Sequence, residues 1–313
     1  MATHTGRILV IRGGALGDFL LTLPVLAALR GQFPQARLEV LGYRHFVELA
    51  IAGGLADDVR SIEARPLAGF FAQHGELSSE WQSYFQQFAV IISFLYDPEG
   101  VFEENVRKCS PGQFIAGPHR PDEREGVHAT EVFLRPLQRL AIFDADPTPR
   151  LRVGPGPERR RADGSAGSSI ALHPGSGSER KNWPEANWGR LLEQLAVSSE
   201  RKLLLVGGEA EGERLQRLAR RVPPERLECA FQRPLPELAT RLAECSCLVG
   251  HDSGISHLAA ALGLEVFALW GETSETIWRP RGPGVRIVRS PRGLASLAVE
   301  EVLRELGPDA GQS

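Results

Sequence analysis

The sequence predicts an α/β protein of two domains, each built on a parallel β-sheet that helices cover on both faces. Short apolar runs alternate with segments of helical periodicity through both halves of the chain. The length of 313 residues suits two domains. Composition changes sharply at 144–168, where Pro, Gly, Ser and Arg dominate and no apolar period survives.

The first half opens on an apolar, β-branched run followed by glycines, a pattern typical of a buried strand that ends in a loop. Further apolar runs predict strands, and core-facing leucines at helical spacing predict helices. The predicted strands are 7–12, 38–41, 59–62, 90–95 and 114–117. The predicted helices are 19–33, 43–51, 81–88 and 131–140. We expect Pro24 in a first turn or at a kink, and an irregular stretch at 64–80.

The second half repeats the alternation of strands and helices. Its predicted strands are 169–172, 203–206, 248–250 and 266–269. Its predicted helices are 184–195, 209–221, 235–244, 253–262 and a last one near 296–306. We therefore divide the chain into an N-terminal domain (1–155), a linker (156–168) and a C-terminal domain (169–313). The last helix is a candidate to pack back on the N-terminal domain.

Charge and cysteine content disfavour several classes of protein. Lys and Arg number 36 against 39 Asp and Glu, so no basic excess points to nucleic acid. The four cysteines lack zinc-site spacing, and we expect them to stay reduced in the cytosol. The longest apolar stretch near the N-terminus, 19–29, is too short to span a bilayer. We expect a cytoplasmic protein, with peripheral membrane contact left open.

The first strand leads into a loop with three glycines, Gly13, Gly14 and Gly17, followed by Asp18. The pattern G-G-x-x-G is neither the dinucleotide fingerprint nor a phosphate-binding P-loop. Glycines at the carboxyl end of a strand let a substrate approach closely, which makes Asp18 a candidate general base. The alternative is that Asp18 is the N-cap of the following helix.

A loop in the second half, HPGSGSERKNWP, lies between a predicted strand and a predicted helix. Its small residues expose backbone N–H groups, and Ser176 and Ser178 add hydroxyl groups. Lys181 adds a mobile positive charge. The combination suits an anion such as a phosphate or diphosphate.

Two further loops follow predicted strands of the same half. In the segment GHDSGISHL, Ser253, Gly254 and the first N–H groups of a helix form an anion-binding nest. His257 lies one turn later, as a phosphate ligand or as a core histidine, and Asp252 is an N-cap or holds a ligand hydroxyl. In the segment GGEAE, Glu211 is a candidate to accept hydrogen bonds from a ribose diol.

Together these segments resemble glycosyltransferase family 9, the ADP-heptose:lipopolysaccharide heptosyltransferases. The segments that carry the resemblance are, in order, ILVIRGGALGDFLLTLPVLAALR, HPGSGSERKNWPEANW, HDSGISHLAAALG and ALWGETSE. The resemblance implies a GT-B fold, in which two Rossmann-like domains face a central cleft. It also implies inverting sugar transfer that needs no metal and no other cofactor.

The resemblance assigns roles to particular residues. Asp18 becomes the base that deprotonates the acceptor. Donor-binding residues are Ser176, Ser178, Lys181, Glu211, Asp252, Ser253, Gly254 and His257. The acceptor loop comprises Gly13, Gly14 and Gly17, with Arg120 and Arg124 as cations from elsewhere in the N-terminal domain. The implied partners are an ADP-sugar donor, with heptose or a related sugar, and a lipopolysaccharide core or other lipid-linked or oligosaccharide acceptor. The implied location is the cytoplasm, at the inner membrane's cytoplasmic face.

Other functions stay open on the sequence alone. Because the first loop lacks the hydroxyl residues usual in the family, the chain could be a degenerate nucleotide-sugar-binding relative without transferase activity. A transferase that uses another donor sugar is a further alternative. A nicotinamide-dependent oxidoreductase is disfavoured, since no G-x-G-x-x-G motif is present.

Overall fold

The computed structural model describes residues 6–154, 169–208 and 212–307. The chain forms two compact units, Met1–Leu151 and Arg152–Ser313. Each unit contains a parallel sheet, so the predicted pair of α/β domains is confirmed. The expected linker, 156–168, lies outside the described residues.

The described part of the first unit holds a five-stranded sheet in the order β3-β2-β1-β4-β5. Its strands are β1 (Arg7–Arg12), β2 (Arg37–Gly42), β3 (Asp58–Ser61), β4 (Val90–Ser93) and β5 (Gln113–Ala116). Its helices are α1 (Leu16–Leu20), α2 (Leu23–Gln32), α3 (Arg44–Ala52), α4 (Ser79–Phe85), α5 (Val101–Arg107) and α6 (Ala129–Leu134). Strands β2 and β3 lie on one side of β1, and β4 and β5 lie on the other side. The order of the strands therefore switches between β1 and β4, and the loop after β1 lies at the position where such folds bind ligands.

The second unit has the same design, with six described strands in the order β11-β10-β9-β6-β7-β8. The strands are β6 (Ser169–His173), β7 (Lys202–Gly207), β8 (Leu227–Phe231), β9 (Cys245–His251), β10 (Glu265–Leu269) and β11 (Val285–Val288). The helices are α7 (Glu185–Ser198), α8 (Gly212–Ala219), α9 (Leu235–Leu242), α10 (Gly254–Ala261), α11 (Glu275–Trp278) and α12 (Val299–Leu306). Strands β6 and β9 are neighbours, which brings the loops that follow them to one edge of the sheet.

Proline explains two departures from the predicted helices. The single helix expected at 19–33 is wrong: α1 ends at Leu20, and Pro24 lies in the first turn of α2. A first turn tolerates proline because its N–H groups have no partner within the helix. The helix expected at 131–140 continues after α6 as a 3₁₀ helix, Arg135–Leu140, which begins beside Pro136.

The last helix contributes to the core of the second unit. Val299 and Val302 are fully buried in the cluster that contains Trp183 and Trp188. The indole Nε1 of Trp183 donates to the carbonyl of Leu297 at 2.9 Å, just before α12 begins. The buried side chains of α12 therefore pack in the core of the second unit. No helix in the described ranges is long and apolar enough to cross a membrane.

Candidate active site

Asp18 lies in the first turn of α1, directly after the loop that follows β1. Its Oδ2 accepts a hydrogen bond from the backbone N–H of Ala15 at 2.9 Å. Its Oδ1 lies 3.4 Å from Nη2 of Arg12. The helix begins at Leu16, with Ala15 as its N-cap. The alternative that Asp18 is the N-cap is therefore wrong, because Asp18 is the third residue of the helix.

Arg12 ends β1 beside Asp18, and the sequence patterns did not mark it as a site residue. Only 3% of the residue is exposed. Its Nη1 donates to the carbonyls of Phe94 and His119 at 3.3 and 3.0 Å. Burial lowers its pKa to about 10, and the charge of Asp18 opposes that shift. The guanidinium thus stays charged at neutral pH. A charged residue at the end of a buried strand was the available signal.

A cavity of about 450 Å³ opens beside Asp18. Its lining combines aromatic rings with charges of both signs: Arg12, Gly13, Gly14, Asp18, Tyr43, Ile62, Glu63, Phe71, Phe94, Leu95, Tyr96, His119 and Arg120. The side chain of Tyr96 is unusual because 72% of the residue is exposed. Its ring meets that of His119 edge to face, with centroids 4.6 Å apart. Burial and the nearby guanidinium groups of Arg120 and Arg12 lower the pKa of His119, so its ring is neutral at neutral pH.

The structure brings together only part of the predicted acceptor loop. Gly13, Gly14 and Arg120 line the cavity. Gly17 lies within α1 and is not part of the lining. Arg124 is exposed and pairs with Asp122 at 2.6 Å, which places its guanidinium outside the cavity. Arg124 therefore does not join this group of residues.

The second group of predicted residues lies at the carboxyl ends of β6 and β9. Lys181 Nζ donates to Asp252 Oδ2 at 2.6 Å. The Asp252 side chain is 10% exposed and that of Lys181 is 40% exposed. Ser253 is the N-cap of α10, so the alternative that Asp252 caps this helix is wrong. Asp252 instead orients the lysine that we predicted as a phosphate ligand.

The remaining predicted donor residues that the structure describes lie in the two loops that this ion pair joins and in the first turn of α10. Ser253 Oγ is buried and has no hydrogen-bond partner among the described residues. Gly254 opens α10, and His257 is buried one turn later. Ser176 Oγ donates to the carbonyl of Ser178 at 2.7 Å. The hydroxyl of Ser176 thus closes a local turn.

His251, the last residue of β9, anchors the loop that follows β6. Its Nδ1 lies 3.2 Å from the carbonyl of Gly175, and its Nε2 accepts the backbone N–H of Trp183 at 2.8 Å. An acceptor at Nε2 requires the proton of the neutral ring on Nδ1, which then donates to Gly175. Burial lowers the pKa of His251 to about 3. The predicted strand ended at Gly250, one residue before His251, and the sequence patterns assigned this histidine no role.

Two predictions about the site stay predictions. Glu211, the candidate ribose ligand, lies outside the described residues. Within the described ranges, no group of three or more His, Cys, Asp or Glu is arranged to hold a metal ion. The expectation that sugar transfer needs no metal ion stays a prediction.

The sequence and the fold of this chain both resemble those of one family of glycosyltransferases. The model of "Glycosyltransferase family 9 (heptosyltransferase)" matches residues 140–305. Lipopolysaccharide heptosyltransferase 1 of Pseudomonas aeruginosa is 28% identical over 291 residues, which cover 86% of this chain and 79% of the relative. A family 9 glycosyltransferase from Veillonella parvula superimposes with a TM-score of 0.78 at 18% identity, over 100% of this chain and 99% of that chain.

An Escherichia coli heptosyltransferase solved with ADP gives a TM-score of 0.77 at 19% identity, over 97% of this chain and 99% of that chain. At such identities the structural matches support the fold, which is the GT-B fold of two parallel-sheet domains. The family match covers more than half of the sequence. This chain therefore belongs to glycosyltransferase family 9.

Proposed function

We propose that this protein transfers a heptose, or a related sugar, from an ADP-sugar to a saccharide of the lipopolysaccharide core, with inversion at the anomeric carbon. The relatives named above support the acceptor and sugar classes. The E. coli relatives solved with ADP and with ADP-2-deoxy-2-fluoro heptose support the donor class. The observation that carries the proposal is the carboxylate of Asp18, ion-paired with Arg12 and lining a cavity with aromatic walls.

In this mechanism, Asp18 accepts the proton of an acceptor hydroxyl bound in the cavity. The hydroxyl oxygen forms a bond to the anomeric carbon on the face opposite the diphosphate. The bond between that carbon and the diphosphate oxygen breaks, and its electron pair leaves with ADP. The products are a glycoside of inverted configuration, ADP and a proton held on Asp18.

The second unit binds the donor and stabilises its leaving group. Lys181 and the backbone N–H groups of Gly254 and Ile255 at the start of α10 hold the diphosphate. Ser253 Oγ, buried without a described partner, donates to a phosphate oxygen. Charge on the diphosphate grows as the glycosidic bond breaks, so these donors stabilise the transition state more than the bound donor.

The proposal assigns no cofactor, since the nucleotide sugar is a substrate, and it requires no metal ion. The cavity beside Asp18 contains Arg120 and the exposed ring of Tyr96. We propose that these side chains receive a sugar of a lipid-linked or oligosaccharide acceptor. With a lipid-linked acceptor, the protein works in peripheral contact with the membrane that carries it.

Product analysis tests this function. Purified protein is incubated with ADP-heptose and heptose-deficient lipopolysaccharide, with and without EDTA, and with UDP- and GDP-sugars as controls. We expect ADP release that matches the glycosylated product, an inverted anomeric configuration by NMR, and a rate that EDTA leaves unchanged. Product from another nucleotide sugar alone would contradict the donor assignment. ADP binding without turnover on any acceptor would favour a degenerate relative.

A further inference from the structure

We infer that Arg12 is a positioning residue for the transfer reaction, which holds the Asp18 carboxylate in the orientation that removes the acceptor proton. This inference rests on the proposed function, because it assigns a role relative to the proposed base. It assigns Arg12 no contact with either substrate.

The guanidinium of Arg12 connects the segments that form the cavity. Its Nη1 donates to Phe94, just after β4, and to His119, after β5. Its Nε donates to the backbone carbonyl of Asp18 in α1 at 3.3 Å. One side chain at the end of β1 therefore fixes three chain segments relative to each other. These bonds therefore connect the helical turn that carries Asp18 to the segments after β4 and β5.

The remaining guanidinium nitrogen of Arg12, Nη2, lies beside the carboxylate of Asp18. Nη2 is buried and has no hydrogen-bond partner among the described residues, and it lies 3.4 Å from Asp18 Oδ1. The other carboxylate oxygen accepts the N–H of Ala15. Both oxygens thus have a fixed neighbour, while the side chain keeps 26% of its surface exposed. The carboxylate is held in place without being closed off from the cavity that it lines.

Packing restrains the guanidinium itself. Its carbon lies 4.4 Å from the centroid of the Phe133 ring and 5.9 Å from that of Phe94. A buried cation is costly unless it is paired, and Asp18 is the carboxylate whose charge acts on it. Lysine offers a single point charge without a planar fork, so it reproduces the charge but not the set of directed bonds.

The test compares Arg12→Met and Arg12→Lys with a matched control, Arg7→Met. Arg7 lies at the other end of β1, pairs with the buried carboxylate of Glu39 and has its guanidinium 5.3 Å from the Phe88 ring centroid. Substitution of Arg7 therefore removes a similar ion pair from the same strand at a distance from the site. Circular dichroism in urea, to which the helices and strands of both units contribute, gives the folded fraction, and calorimetry with ADP gives the donor affinity.

We expect Arg12→Met to lower kcat by about tenfold or more, with the donor KM and the ADP affinity within about twofold of wild type. Arg12→Lys should recover part of the lost kcat, and Arg7→Met should retain the wild-type rate per folded molecule. In an Asp18→Asn background, Arg12→Met should change the residual rate by less than about twofold.

Three results would overturn the inference. The first is a rate for Arg12→Met equal to that of Arg7→Met, and the second is a loss of activity in Arg12→Met that comes from a higher donor KM and not from a lower kcat. The third is that Arg12→Met lowers the rate as much in the Asp18→Asn background as it does in the wild type. Failure of the proposed function is a different result. In that case Asp18→Asn itself would transfer sugar at nearly the wild-type rate.

Discussion

Lys181 and Asp252 are 71 residues apart in the sequence, yet Nζ and Oδ2 lie 2.6 Å apart. The pair joins the loop after β6 to the loop after β9, whose strands are neighbours in the second sheet. The lysine chain is long and flexible, and the less exposed carboxylate of Asp252 fixes where its charge lies. The ion pair places a cation beside the N-terminus of α10, where backbone N–H groups also attract anions.

Replacement of Lys181 should weaken donor binding. We expect Lys181→Ala to raise the Kd for ADP by about 10- to 100-fold, because a charge-assisted hydrogen bond to a diphosphate is lost. Titration calorimetry measures this directly. Lys202→Ala is the matched control, since Lys202 is exposed at the start of β7 and should bind ADP normally. Equal affinities for the two variants would remove Lys181 from the donor site.

A methyl group at Gly14 should displace the proposed base. Gly14 has φ +90°, and a Cβ there would lie 2.6 Å from Asp18 Oδ2. We expect Gly14→Ala to lower kcat by about tenfold or more through a displaced carboxylate, with ADP binding unchanged. Gly54→Ala controls for backbone strain, because Gly54 has φ +67° but open space around its Cβ position. A similar kcat for both variants would contradict the steric explanation.

The buried His251 should make the stability of the second unit dependent on pH. Its pKa is about 3 in the folded chain and about 6.5 when unfolded. Between these values the unfolded state binds a proton that the folded state does not, so stability falls as pH drops below about 6.5. Between pH 7 and pH 5 the free energy of unfolding should fall by about 2 kcal/mol from this histidine.

Urea unfolding checks this dependence through tryptophan fluorescence, which mainly reports the second unit. Four of the five tryptophans belong to it: Trp183, Trp188, Trp270 and Trp278. His251→Gln keeps a donor and an acceptor but does not titrate, so its unfolding free energy should depend less on pH. An identical pH dependence in the two proteins would show that His251 is not the group responsible.

Tyr96 should affect the acceptor and not the donor. If the exposed ring at the cavity stacks on an acceptor sugar, Tyr96→Ala should raise the acceptor KM by about 3- to 10-fold. Tyr96→Phe keeps the ring and should behave nearly as wild type. Steady-state kinetics with varied acceptor, at saturating donor, measure the effect. A change in the donor KM instead would place Tyr96 outside the acceptor site.

The sequence was sufficient to predict the two sheets and the loops with unusual polar residues after buried strands, including those of Asp18 and Lys181. It did not reveal β8 and β11, because these edge strands are only half buried and have no continuous apolar run. Arg12 and His251 were missed for a related reason. Both side chains hold loops in place through hydrogen bonds to residues that are distant in the sequence, such as Phe94 and Gly175. Hydrophobic periodicity cannot detect such contacts.

Helix starts were the other source of error. Whether Asp18 or Asp252 was a cap depended on the residue at which the helix begins, and sequence patterns place such boundaries only to within a few residues. At Asp18 the outcome matters chemically, because the third helical position lets the carboxylate accept from the Ala15 N–H while it pairs with Arg12.

The role proposed for Asp18, as the base of the transfer reaction, can be separated from donor binding by substituting asparagine. The kcat of Asp18→Asn is compared with wild type at saturating ADP-heptose and acceptor, and the ADP affinity is measured on the same preparation. Asparagine keeps the size of the side chain and an acceptor for the Ala15 N–H, but it cannot take up the proton. We predict a kcat lower by about 10²- to 10⁴-fold with unchanged ADP binding, whereas turnover within a few-fold of wild type would show that Asp18 is not the base.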